Sequence, residues 1–229
     1  MALLSIAGLI AGLLSAGLVY PAGRLSVTHT RWAWYILGGP FGTTLAISLV
    51  AYGVLNGLRG FGKAILLAVL STMAYFVSFW VAAAIELTLR RGGLDRASEI
   101  SSLALFAGGF VGCLLVFSSV FLLVYPERRS RSLAFKVLCS SILCGILAVV
   151  GWTLGPSVGT YIWYALHALG QTPPTETFQN ALYGDSSRQF SLFVVWQTGT
   201  AFLLGLILHH DQANKGRISE RIEGKQKLA

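Results

Sequence analysis

The sequence predicts an all-α, polytopic bundle of six transmembrane helices with both termini on the inner side. Three observations carry this. Only 11% of the 229 residues are charged while 55% are hydrophobic, against about 25% charged in an ordinary soluble domain. The charges are also segregated, with none between Arg31 and Arg59 and none between Glu99 and Pro126. The basic residues collect in the short segments between these stretches and in the tail. An apolar run of about 18 residues or more can cross a hydrocarbon core about 30 Å thick, and soluble core helices are usually shorter.

The first span is read at 2–20. Its apolar run is longer than a secretory signal uses and no charged residue precedes it, so it reads as a retained helix. The second and third follow at 32–58 and 64–89, separated by Arg59 to Lys63, and the fourth at 100–125. The fifth, 137–154, is expected to end at Gly155-Pro156, because proline removes a backbone donor and clashes with the preceding turn. The sixth is read at 190–208. Segment 155–189 then forms a long outer connection with short interfacial helices, one carrying Tyr161, Trp163 and Tyr164 at headgroup level. Another is expected to start after Pro173-Pro174, with Thr175 as its N-cap. The tail 211–229 mixes both charge signs and reads as a solvated basic helix near anionic headgroups.

Orientation follows from the basic residues. With both termini inside, the inner segments hold eleven Lys and Arg and the outer ones six, in accord with the positive-inside rule. The net charge of +8 is therefore a matter of topology and lipid headgroups, and no nucleic-acid partner is expected. Cys113, Cys139 and Cys144 all fall within apolar spans and provide neither a disulfide framework nor zinc spacing. The implied location is a bacterial inner membrane or an equivalent organellar membrane.

Two sets of residues are candidates for function. Small residues recur four apart on the first helix, with Ala7, Ala11 and Ser15 in one row and Gly8 and Gly12 in the next. Such rows let backbones approach closely, which is how membrane helices associate. They form a candidate helix-docking face, for another subunit or for a helix of the same bundle. The row has the character of the alanine-rich docking helix in six-spanning substrate-binding subunits of vitamin uptake systems, a likeness of one helix that carries no family assignment. The second set comprises the glycine-proline sites Gly38, Gly39, Pro40 and Gly155, Pro156, with Gln197 and Thr198 in the last span. Broken helices expose backbone groups that can hold a solute, and a buried amide can bond a neighbouring helix.

Catalytic chemistry finds little purchase. Gly155 to Gly159 matches G-x-S-x-G around Ser157, yet that motif requires a strand–turn–helix elbow. Glu86 is the one carboxylate inside a span, and Arg90 stands four residues on, in ion-pair register. His209 and His210 are adjacent and point about 100° apart on a helix, a poor chelating arrangement. No cofactor site is legible. The sequence therefore points to a non-catalytic subunit or scaffold of a larger membrane complex, partnered by lipid and other membrane subunits. The alternative is a carrier or channel for a small neutral or amphipathic solute, using the broken helices near Pro40 and Pro156.

Overall fold

A computed structural model describes residues 2–24, 39–51, 53–55, 57–91, 100–124, 131–168 and 185–226. Gly38 and the helix expected after Pro173-Pro174 lie outside the described residues. Six helices are present among the described residues: α1 (Ala2–Arg24), α2 (Gly39–Ala51), α3 (Gly57–Arg91), α4 (Ser102–Val124), α5 (Arg131–Ala168) and α6 (Asp185–Gln226). No strand occurs among the described residues. Four segments are long and apolar enough to cross a membrane: Gly57–Arg91, Ser102–Val124, Ser132–Ser157 and Ser191–His210. Ala2–Ser15 and Gly39–Ala51 are shorter apolar helical segments. This is consistent with a multi-pass membrane protein.

The helices pack as a closed ring in chain order, each on its sequence neighbours, with α6 returning to α1. Neighbours run antiparallel. Gly8 meets Ala201 while Gly12 meets Val194, and Gly151 meets Leu192 while Gly199 meets Leu147. Small residues at these seams allow the close approach on which membrane helix packing depends. One end of the ring interior is filled by fully buried apolar side chains, among them Leu45, Leu49, Leu67, Phe117 and Leu204. The outward faces carry large exposed hydrophobics such as Ile6, Leu14, Ile47, Phe61, Val69 and Phe135. An apolar exterior this extensive suits lipid and would be an aggregation liability in water.

The turn between the second and third helices comes earlier than the uncharged run suggested. α2 ends at Ala51 in a Schellman motif: the Gly53 N–H donates to the Val50 carbonyl at 3.0 Å and the Val54 N–H to that of Leu49 at 3.0 Å. Gly53 (φ 70°) and Gly57 (φ 69°) supply the left-handed conformations that close α2 and open α3. Arg59 and Lys63 therefore stand in the first two turns of α3 instead of a loop. Their long side chains can carry the charge to the headgroups from a helical stem.

The fifth helix does not stop at Gly155-Pro156 either. α5 continues through Pro156 to Ala168, 38 residues in all, or about 57 Å at a rise of about 1.5 Å per residue. The segment expected as a separate interfacial helix at Tyr161–Trp163 is thus the extension of α5. Proline is tolerated in a membrane helix when a neighbouring helix supports it. Here α6 lies flush against the site, because Gly155 has no side chain and the Arg188 backbone occupies the space one would take. α6 likewise starts before the expected span and runs to Gln226 as one helix of 42 residues.

Candidate functional site

At the other end of the ring interior is a cavity of about 430 Å³, walled by α3, α4, α5 and α6. This lies within the range of small-molecule pockets, about 300–1,000 Å³. Small residues stand along its wall: Ala82 and Ala83 on α3, Gly108 and Gly109 on α4, and Ala148 on α5, with Gly108 packed toward Ala82 and Gly109 toward Ala148 at the helix seams. Aromatic side chains frame it. Tyr75 and Phe193 have ring centroids 5.8 Å apart, and Tyr75 and Trp196 are 6.4 Å apart. Phe41 backs Trp196 from α2 at 6.2 Å. Trp152 forms part of the α5 wall, and the Arg188 guanidinium sits 5.8 Å from the centroid of its ring.

The charged groups of the lining, Glu86 and Arg90, are gathered at one end with Gln189, while the indole N–H groups of Trp152 and Trp196 are buried without a partner among the described residues. Tyr75 and Arg90 are 15 positions apart on α3, so the lined face extends about 22 Å along that helix. Both oxygens of Glu86 accept a hydrogen bond. Its Oε1 accepts from Arg90 Nε at 3.1 Å, and its Oε2 accepts from the Ser101 backbone N–H at 2.9 Å. Ser101 in turn caps α4, its Oγ accepting from the Ala104 N–H at 3.2 Å. The acid therefore ties the end of α3 to the start of α4, at the helix terminus where a negative charge is stabilised. Ser78, on the wall, donates to the Gly108 carbonyl at 2.6 Å and is committed to the α3–α4 seam.

Below the aromatic floor a second polar group closes the interior. Thr200 Oγ1 donates to the Trp196 carbonyl at 2.7 Å, and Cys113 Sγ and Cys144 Sγ lie 3.0 and 3.5 Å from the same oxygen. All three side chains are buried, and they link α4, α5 and α6. Among the described residues there is no group of three His, Cys, Asp or Glu able to hold a metal ion.

The sequence-predicted residues fall elsewhere. Gly39 and Pro40 open α2, where the missing N–H of proline costs no intrahelical bond. Gly155 lies on the α5–α6 seam and Pro156 inside α5. Gln197, with no exposed surface, donates from Nε2 to Ser15 Oγ at 3.0 Å, so the amide faces α1 rather than the cavity. The Thr198 Oγ1 is buried with no hydrogen-bond partner among the described residues. On α1, Gly8, Ala11, Gly12 and Ser15 are buried and Ala7 is half-buried. A methyl group at Gly8 would stand 2.6 Å from Ala201 Cβ, and one at Gly12 2.7 Å from Val194 Cα. That face is occupied by α6 of the same chain. The expected Glu86–Arg90 pair is present. Ser157 is exposed, and the exposed His210 Nδ1 lies 3.2 Å from Lys136 Nζ.

Glu86 and Arg90 apart, the residues that make the cavity were not singled out from sequence. Trp152, Phe193 and Trp196 are buried, whereas aromatics near span ends are ordinarily read as interfacial anchors. The usable signal was the Ala82-Ala83-Ala84 run one turn before the only intraspan acid, which removes bulk beside a polar terminus. Comparison with known protein families, curated proteins and solved structures finds no match to this chain.

Proposed function

We propose that this chain is an integral membrane protein that binds a small amphipathic molecule in the cavity among α3–α6, acting as a carrier or solute-binding subunit. In this reading all six helices cross the bilayer with both termini inside, and the polar end of the cavity faces outward. The observation that carries it is the polarity gradient of the cavity, from an aromatic floor at Tyr75 and Trp196 to a charged mouth at Glu86 and Arg90. A pocket that is mostly apolar with a few polar groups at one end matches a ligand with an apolar body and a polar head. Ser78, on the wall, is spent on a backbone carbonyl, which supports binding over covalent chemistry.

The reading is tested by titrating decanol onto the chain in phosphatidylcholine nanodiscs, with empty nanodiscs as reference. Saturable binding of one equivalent is expected, and Ala83→Trp should abolish it by filling the cavity while the helical circular-dichroism signal and a single elution peak persist. Uptake no greater than that of empty nanodiscs would sink the proposal.

A further inference from the structure

We propose that the ligand of this cavity carries an anionic head, a single-chain carboxylate, and that Arg90 determines this specificity. The inference rests on the binding reading above and adds to it the chemistry of the head group.

It starts from the hydrogen-bond account at the mouth. Both oxygens of Glu86 are used, one by Arg90 Nε and the other by the Ser101 N–H. Each oxygen keeps a second lone pair, but the charge of the acid is already offset by Arg90. Only its Nε is engaged, and among the described residues its two Nη groups have no partner, on a side chain that is 51% exposed. A guanidinium held at Nε by one carboxylate presents its remaining N–H donors in a fixed fork, the geometry that a second carboxylate accepts in bidentate fashion. Gln189, across the mouth on α6, is half-buried and its side-chain amide has no partner among the described residues. It offers an N–H donor to the same head. Arg188 adds a second positive charge beside the α5 wall, over Trp152.

The rest of the molecule limits the ligand. A cavity of about 430 Å³ accommodates one chain and not a two-chain phospholipid, and its walls below Arg90 are largely apolar, with the indole N–H groups of Trp152 and Trp196 buried and unpaired among the described residues. An acid of medium chain length fits, its tail running along α3 toward Tyr75 and Trp196. The expected order of affinity is decanoate, then decanol, then decylammonium. The first step should be about tenfold or more, the scale of a charge-assisted bidentate contact.

The test titrates decanoate and decanol onto the chain in phosphatidylcholine nanodiscs against empty nanodiscs, then repeats both with Arg90→Gln. Because Arg90→Gln also frees the charge of Glu86, the double change Glu86→Gln with Arg90→Gln is measured beside it. The preference for decanoate should fall to within about twofold in both variants. Equal affinity for decanoate and decanol in the unaltered chain, or a preference that survives both variants, would overturn the acid while leaving the cavity reading in place. No saturable binding of either probe would overturn both. Repetition in phosphatidylglycerol nanodiscs separates sources. If the decanoate preference vanishes there, a lipid headgroup occupies the mouth and the free carboxylate is wrong.

Discussion

Trp196 and Gln197 are neighbours on α6, yet they belong to two regions built on opposite terms. Gln197 faces the α1 seam, where Gly8 and Gly12 bring two backbones together and a buried amide bonds Ser15. Trp196 faces the ring interior, beside the cavity, whose wall includes Ala83 on α3 and Trp152 on α5. Small residues occur in both places. Between adjacent helices they remove the distance, as Gly108 and Gly109 also do on the α3–α4 and α4–α5 seams, while Ala83 on the cavity wall puts little bulk into the open space. The seam should therefore be intolerant of added volume and the cavity tolerant of it.

The sharpest way to break this contrast is Gly8→Leu. A side chain there would start 2.7 Å from the Gln197 carbonyl oxygen, and backbone cannot swing aside as a side chain can. The expected loss is about 3 kcal/mol or more, at the upper end for overpacking, measured by thermal unfolding in mild detergent. The cavity-filling Ala83→Trp should cost far less in the same measurement. If both changes were equally damaging, the cavity would be an ordinary seam.

The polar half of the seam predicts a smaller effect with a distinctive sign. Ser15→Ala leaves the fully buried amide of Gln197 unpaired among apolar side chains, at a cost of about 1–2 kcal/mol. Adding Gln197→Leu removes the stranded polar group, so the double variant should be more stable than Ser15→Ala alone. Strict additivity of the two losses would show that the hydrogen bond contributes nothing to the docking of α1.

How far the sequence carried can be argued from the same residues. The uncharged runs around 100–125 and 190–208 became α4 and the apolar part of α6, because absence of charge over that length is a direct statement about solvent. Rows of small residues on α1 were legible as a docking face, but nothing in a row of glycines says whose helix arrives. The end of α2 was misread because Tyr52-Gly53 and Asn56-Gly57 interrupt a run that hydropathy alone treats as continuous. Pro156 was misread for the converse reason: a local breaker is overruled when α6 packs on it. The cavity was invisible because it depends on Trp152, Phe193 and Trp196 turning inward together, and periodicity in an all-apolar span does not mark an inner face.

Glu86→Gln is the smallest expected change and probes where the two regions differ in kind. The acid is shallow and half-buried, so its pair with Arg90 is screened and contributes about 0.3–0.5 kcal/mol, as i,i+4 pairs do. A glutamine still offers one carbonyl oxygen to the Ser101 N–H, so the cap of α4 survives and only the ionic part is lost. Thermal midpoints of the unaltered chain and the variant should differ slightly at low salt and converge at about 1 M salt, where the Debye length falls to about 3 Å. A loss as large as that of Ser15→Ala, persisting in high salt, would mean that the mouth is as tightly determined as the seam. The cavity end would then be a fixed structural joint, with little freedom for Arg90 to meet a ligand.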